Sequence, residues 1–351
     1  MRIEISADRL AQALGAVASI ARRGPMPALE CVRIEYACGT VTMSTTDLDT
    51  WGTVRLEGVE GDAGVTIVNA GMLLAAVRAR SGAHLVIDAD AKALRIAGKG
   101  KVSLPVMHAD DFPAIPVAGD GTDIDMSDII TVLREVSYCA GDDEARPNLC
   151  GVNFSPTEVC ATDGHRLAMV QRGGMLPCPP EGTLVPTPLV TLLLKNFAKA
   201  GEAKAWTDGA NLVIWTDWAS FGGRLSAQSF PNVAAFVPTK PAPTLLVDNA
   251  EFAEAVKLVG LVKRKDNKVS LRRDGAELRL EATSDEGAYA CQHIEAEGLA
   301  GVDLHLNVTY LAEALAHIPE AKITMRVEDS LSPVVLSGRD GSIHLIMPMR
   351  G

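Results

Sequence analysis

Ala161-Thr162-Asp163-Gly164-His165-Arg166-Leu167-Ala168 is the most tightly patterned stretch of the chain, and the fold follows from how it is read. An Asp two residues before a His could form a hydrolytic dyad. That chemistry needs a nucleophile elbow of the GxSxG kind and an oxyanion loop, and neither accompanies it. Read as backbone geometry, Asp163 offers its carboxylate to the amides that follow it and Gly164 takes a positive φ. The stretch is then a tight corner between two strands, available to a binding surface. The hydrolytic reading with Asp163 and His165 stands as the alternative from a different class.

The corner recurs as Thr46-Asp47 and Ser284-Asp285, and other landmarks recur with it in the same order. Ser6, Asp125 and Asp248 each precede a helical pattern, and the first large apolar residue follows four positions later as Leu10, Ile129 and Phe252. A second helix is expected after Asn69, Pro186 and Asn307, and closing strands reach Phe112-Pro113, Phe230-Pro231 and Met347-Pro348. An interval of roughly 120 residues is too long for a solenoid and suits a domain used three times. Boundaries fall in Pro/Gly-rich stretches at 113–121 and 238–243, giving domains 1–120, 121–243 and 244–351.

Within each repeat the expected class is α+β, an antiparallel sheet backed by two helices. The first helix is predicted over residues 7–21, with Leu10, Leu14, Val17 and Ala21 on one face and Ser6 as N-cap. Asp248 followed by Glu251 completes a capping-box pattern for its counterpart. Period-two alternation is clearest in Glu277-Leu278-Arg279-Leu280-Glu281 and Thr40-Val41-Thr42-Met43. Asp208-Gly209, Asp274-Gly275 and Asp340-Gly341 are hairpin turns that keep neighbouring strands antiparallel.

Composition narrows the function. Hydrophobic residues make up 47% and aromatics only 4%, so the cores must be aliphatic. No apolar run approaches the roughly 20 residues of a membrane span, and the charged start Met1-Arg2-Ile3-Glu4 does not suit a signal peptide, so a cytoplasmic protein is expected. Seven scattered cysteines without a CxxC pair argue against a disulfide framework and a zinc site, and no cofactor motif appears. The net charge of −11 opposes nucleic-acid binding unless basic residues are segregated. Arg22-Arg23 and Lys263-Arg264-Lys265 cluster at helix ends, and Arg78, Arg80, Arg134, Lys195 and Lys199 also fall on predicted helices. They share those helices with acidic residues such as Glu135, Glu251 and Glu254. The C-terminus, Leu345-Ile346-Met347-Pro348-Met349-Arg350-Gly351, stays apolar where termini usually fray, so it is expected to be tied down.

Together, ATDGHRLA, the Phe-Pro pairs, Asn307-Val308-Thr309-Tyr310 and the MPMR ending resemble the bacterial DNA polymerase III β subunit family, the sliding clamps, over the whole chain. The resemblance implies a head-to-tail homodimeric ring of clamp domains around duplex DNA, bound without sequence preference. An acidic exterior with a weakly basic bore would answer the charge objection. It implies a processivity factor without enzymatic activity, whose partners are DNA polymerase and clamp-loader subunits carrying short peptide motifs. A clamp-like scaffold that no longer encircles DNA is the nearer alternative. By the same resemblance a peptide pocket carries over to Leu149, Thr162, Gly164, His165, Arg166, Leu167, Pro231, Asn307, Tyr310, Leu331, Leu345, Ile346, Met347, Pro348, Met349 and Arg350. Phe236 stands where the family has an aliphatic, and is expected to narrow that pocket. Ala235, Pro333, Asp266 and Gly351 also depart from the family pattern. The subunit contact is implied for the segments holding Val102 and Leu104, and Leu258 and Leu261.

Overall fold

The structure, a computed structural model, describes residues 1–24, 26–179, 182–238, 242–262, 265–298, 301–338 and 341–350. Lys263, Arg264, Asp340, Gly351 and residues 239–241 of the second linker, all singled out above, lie outside them. The strands in chain order are β1 (Arg2–Ser6), β2 (Cys31–Ala37), β3 (Thr40–Thr46), β4 (Thr50–Leu56), β5 (Glu60–Asp62), β6 (Gly64–Asn69), β7 (His84–Ala89), β8 (Ala93–Gly98), β9 (Gly100–Met107) and β10 (Thr122–Asp125). They continue as β11 (Gly151–Phe154), β12 (Val159–Thr162), β13 (Arg166–Val170), β14 (Thr183–Pro186), β15 (Glu202–Thr207), β16 (Asn211–Trp215) and β17 (Ala219–Arg224). The last third adds β18 (Thr244–Asp248), β19 (Lys268–Asp274), β20 (Glu277–Thr283), β21 (Tyr289–Gly298), β22 (Asp303–Asn307), β23 (Lys322–Arg326), β24 (Val334–Ser337) and β25 (Ile343–Ile346). Among the described residues six α-helices are interspersed: α1 (Ala7–Val17), α2 (Ala70–Arg78), α3 (Met126–Val136), α4 (Thr187–Asn196), α5 (Asn249–Val259) and α6 (Val308–His317). The second helix of each repeat begins where its landmark places it.

Contacts gather the chain into two compact units, Met1–Ser127 with Thr191–Leu225, and Asp128–Val190 with Ser226–Gly351. The first unit holds one thirteen-stranded sheet in the order β10-β15-β16-β17-β4-β3-β2-β6-β9-β8-β7-β1-β5. The second holds a twelve-stranded sheet, β14-β11-β12-β13-β25-β24-β23-β18-β21-β20-β19-β22. The middle third therefore divides its strands between the two sheets. Both sheets are joined alike, by the strand that follows a corner pairing antiparallel with a later closing strand: β4 with β17 (Gly52↔Phe221) and β13 with β25 (Leu167↔Leu345). Gly52 is required at the first junction, since a Cβ there would lie 2.7 Å from the Phe221 ring.

Helices cover the sheets through aliphatic faces. Leu10, Leu14 and Val17 of α1 and Leu73 and Val77 of α2 are fully buried in the first unit. In the second, Phe252, Val256 and Val259 of α5 and Leu311 and Leu315 of α6 pack with Val269, Leu278, Leu304 and Ile346 in one cluster. Each such side chain contributes about 1.5–3 kcal/mol relative to exposure. The alternation expected for β20 and β3 is present, and Gly209 and Gly275 take φ of +86° and +76° in their hairpins.

Two local expectations are corrected. α1 ends at Val17, not Ala21: past Ala18 the Ile20 amide bonds back only three residues, to Val17 O at 3.0 Å, and Ile20 turns inward to full burial. Ser6 has N-cap dihedrals but its side chain makes no capping bond; nearby Asp8 instead accepts from Ser81 Oγ and Gly82 N in the turn after α2. Asp248 caps α5 through the Glu251 amide, and Asn69 and Asn307 cap α2 and α6. Among the described residues no helix is long and apolar enough to cross a membrane.

Candidate functional site

The corner at Thr162–Arg166 is built from short local hydrogen bonds. Asp163 Oδ1 accepts from the amides of His165 (2.8 Å) and Arg166 (3.0 Å), and Oδ2 accepts from Arg166 Nε at 2.9 Å. Thr162 Oγ1 donates to Arg166 O at 2.6 Å and accepts from the Gly164 amide, while Gly164 takes φ +92°. The Asp163 carboxylate is thus engaged with the His165 backbone, and the His165 ring stacks on Tyr310 at 6.5 Å. The dyad geometry is not formed. The first corner repeats the scheme: Asp47 Oδ1 accepts from the Asp49 and Thr50 amides and from Thr50 Oγ1, with Leu48 at φ +80° where the second corner has Gly164. At the third corner Ser284, not Asp285, does the capping, through the Glu286 and Ala288 amides.

Beside the second corner, the sheet face opposite the helices carries an apolar cluster of Cys160, Leu167, Met169, Val233, Val335 and Leu345. Phe230, Val237 and Ile343 pack against it, so the segment after β17 lies across this face. Leu167 and Leu345 are cross-strand partners, both 3% exposed. One expectation is revised here. Ile346 belongs to the helix-side cluster, because successive side chains of a strand point to opposite faces; the floor residue from β25 is Leu345. Phe236 is 59% exposed, while Val233 and Val237 make the packing contacts with the cluster. Leu331 is 72% exposed on a turn held by Asp329. Leu149 is buried and Pro231 half-buried close by in sequence to these elements.

The C-terminal segment is tied down by its backbone at Met347 and Met349. The Met347 amide donates to His165 O at 2.9 Å and the Met349 amide to His305 O at 2.8 Å. Met347 itself is 38% exposed, Pro348 and Met349 are half-buried, and Arg350 is exposed. An exposed methionine next to an apolar floor and a rigid proline is a surface that can repack around varied side chains.

Arg166 is the electrostatic centre of the corner. Its guanidinium pairs with Asp163 and with Glu313 of α6, and its side chain is only 12% exposed. Burial works against its charge, but the hydrogen bond it donates to Glu313 and the surrounding negative groups outweigh it and raise its pKa. Burial, with Asp163 nearby, likewise raises the Tyr310 pKa. Both groups therefore keep their protons, and both can donate hydrogen bonds at this site. Among the described residues no group of His, Cys, Asp or Glu is arranged to hold a metal.

In the first unit a groove of about 460 Å³ runs beside α1, lined by Arg9, Arg55, Arg78 and Lys195. Lys195 Nζ donates to Gly15 O (3.1 Å) and Ser19 Oγ (2.9 Å), and burial and Arg78 lower its pKa. Sequence reasoning missed Arg9 and Arg55; for Arg9, a basic residue at an exposed position of α1 was the available signal. Arg22 and Arg23 are exposed, with Arg22 3.9 Å from Asp47, and Arg134, Lys199 and Lys265 are exposed too. Arg80 is corrected: it is 8% exposed and its Nη1 donates to Ala76 O, so it caps α2 instead of facing solvent.

Of the segments assigned to subunit contact, Leu261 is 71% and Leu258 42% exposed, whereas Leu104 is 5% exposed and belongs to its own core. Among the described residues, 100–105 of β9 pair only with β8, leaving one backbone edge open, and 289–295 of β21 pair only with β20. Val102 lines a shallow surface pocket with Arg95 and Lys101. The open edge of β21 was not read from the sequence, since an edge is a property of pairing.

The family models of the DNA polymerase III beta subunit match this chain twice, the N-terminal domain over residues 1–116 and the C-terminal domain over residues 235–350. The beta sliding clamp of Streptomyces coelicolor is 25% identical over 381 residues, spanning 100% of this chain and 99% of that protein. The beta sliding clamp of Caulobacter vibrioides is 25% identical across the full length of both. A crystal structure of the Caulobacter crescentus beta sliding clamp with PEG superposes with a TM-score of 0.93 at 23% identity, covering 100% of this chain and 99% of that one. The DnaN sliding clamp of Bartonella birtlesii bound to griselimycin superposes equally, with a TM-score of 0.93 at 23% identity over both chains entire. These superpositions establish the fold.

Proposed function

The chain belongs to the DNA polymerase III beta subunit family, and from that premise we propose that it is a DNA sliding clamp that tethers polymerase, clamp-loader and repair proteins through a short peptide pocket in its second unit. The observation that carries the pocket is the apolar cluster around Leu167 and Leu345 beside the hydrogen-bonded corner and the anchored C-terminal segment. A short peptide gains affinity mainly by burying a few large apolar side chains in a preformed concavity, with backbone groups fixing its direction. Leu167, Leu345 and Met347 would form the floor, Pro231 and Pro348 the walls, and Gly164, His165, Tyr310 and Met349 the rim. Thr162, Asn307 and Arg166 support it from behind by their hydrogen bonds.

Three domains, 1–120, 121–243 and 244–351, would repeat twice in a head-to-tail homodimeric ring. Two open strand edges, residues 100–105 and 289–295, support a heterologous contact between copies, with exposed Leu258 and Leu261 adding apolar surface. DNA would be held by encirclement and by transient phosphate contacts from Arg9, Arg22, Arg23, Arg78, Arg134, Lys195, Lys199 and Lys265. We read the protein as non-catalytic and cytoplasmic. Deleting residues 347–351 is the direct test of the pocket. A fluorescein-labelled pentapeptide ending in Leu-Phe should then lose binding while the particle keeps its dimer mass; wild-type affinity in the truncated protein would rule the pocket out.

A further inference from the structure

Behind the corner, five planar groups from three separate segments follow one another. Tyr138, in the single 3-10 turn Ser137–Cys139 that follows α3, stacks on His317 of α6 with ring centroids 4.3 Å apart and planes 12° from parallel. The Arg166 guanidinium carbon lies over the Tyr138 ring at 5.3 Å and over the Tyr310 ring at 4.6 Å. Tyr310 in turn stacks against His165 at 6.5 Å and 20°. The sequence of contacts runs His317, Tyr138, Arg166, Tyr310, His165, from half-buried His317 to exposed His165. Tyr138 also reaches the floor strand, because its hydroxyl and Nδ1 of the fully buried His344 are 2.9 Å apart. His344 precedes Leu345 on β25, so one phenol links the corner, α6 and the strand that supplies the floor.

We propose that Tyr138 is a positioning residue for peptide capture, holding Arg166 and, through it, Tyr310 and His165 in the orientation the rim requires. The proposal rests on the pocket reading given above. The physical argument starts from Arg166. Two carboxylates, Asp163 and Glu313, fix its guanidinium at the edges, but only aromatic faces restrain it perpendicular to its plane. An arginine between aromatic faces gains attraction that grows as water is removed, and here burial raises the Tyr138 pKa and keeps its hydroxyl protonated. Without the Tyr138 face, Arg166 can tilt toward the vacated space, and Tyr310, which sits on a capped helix start, loses its stacking partner. Tyr138 packs against the helix-side core and sits on the opposite side of β13 from Leu167, so it acts without touching the peptide.

The test measures binding of the same labelled pentapeptide by fluorescence polarisation, with thermal melting of each variant to confirm folding. Tyr138→Leu removes the planar face and should weaken binding about tenfold, equivalent to ~1.4 kcal/mol. Tyr138→Phe keeps the face, loses the hydroxyl, and should restore affinity to within about threefold of wild type. Combined with His165→Ala, Tyr138→Leu should add little to the loss that His165→Ala produces alone, because both act through one rim element. Unchanged affinity in Tyr138→Leu, failure of Tyr138→Phe to rescue, or losses that multiply in the double variant would each overturn the proposal. Should Tyr138→Leu not fold, His317→Ala removes the inner end of the same series; a weakening of about threefold supports it and wild-type binding overturns it. If the 347–351 deletion binds peptide normally, the pocket reading falls and this proposal with it. If that deletion abolishes binding while Tyr138→Leu leaves it intact, only this proposal falls.

Discussion

Asp47→Ala and Asp163→Ala remove the same local chemistry from two corners with different surroundings, which makes the pair a sharp test. Asp163 accepts two backbone amides and one guanidinium N–H, and Asp47 accepts two amides and one hydroxyl. Hydrogen bonds to a charged acceptor are each worth about 1.5–3 kcal/mol net, and water partly replaces them at these half-exposed turns, so each alanine variant should lose about 3 kcal/mol. For a unit of this size that is a fall of about 6–12 °C in melting temperature. Asp163→Asn keeps an oxygen for the two amides and gives up only the ionic part with Arg166, which retains Glu313; it should lose about 1 kcal/mol. The assay can tell the units apart, because all four tryptophans, Trp51, Trp206, Trp215 and Trp218, fall in the first unit. Asp47→Ala should lower the melting transition followed by tryptophan fluorescence and leave peptide binding near wild type. Asp163→Ala should lower only the transition followed by far-UV circular dichroism and cut peptide affinity at least tenfold. Loss of peptide binding in Asp47→Ala, or an Asp163→Ala protein that binds peptide normally, would refute the assignment of the second corner to the site.

The subunit contact predicts that Leu261→Asp, at an exposed position, yields folded monomers in light scattering, whereas Leu104→Asp, which buries a charge in the core, lowers expression and melting temperature instead. In the basic groove, Arg9→Ala, Arg78→Ala and Lys195→Ala should each reduce the salt slope of DNA binding by about one; three unchanged slopes would remove this groove from the DNA path. The buried thiols predict an alkaline limit. Burial pushes Cys139 and Cys160 up to about 12 from an ordinary value of 9.0. A raised folded pKa gives stability that is complete below the unfolded value, so it should fade as pH rises from 9 toward 12, and Cys160→Ala should flatten that fall. At neutral pH iodoacetamide should label the exposed Cys38 and spare both buried thiols until the protein unfolds.

Much of this organisation is local and therefore legible in the chain. Asp163, Asp248, Asn69 and Asn307 cap backbone amides two or three residues away, and alternation in β20 and β3 is a period-two pattern carried by neighbouring residues. The repeated landmarks were visible for the same reason, since each is a short string with its own backbone geometry. What the tertiary structure alone decided lies in contacts between residues far apart in sequence. Leu345 and not Ile346 faces the apolar cluster because β25 pairs with β13 in a particular register, and a shift of one residue would exchange them. Arg80 turns back onto its own helix, Arg9 meets Lys195 from the other end of the unit, and the middle third gives its strands to two sheets. Tyr138 reads in sequence as an ordinary residue after a helix; its place between His317, Arg166 and His344 exists only once α6 and β25 have folded against it. Caps and alternation depend on bond geometry within a few residues, whereas pairing register and side-chain stacking depend on which distant segments pack together, and no local pattern encodes that choice.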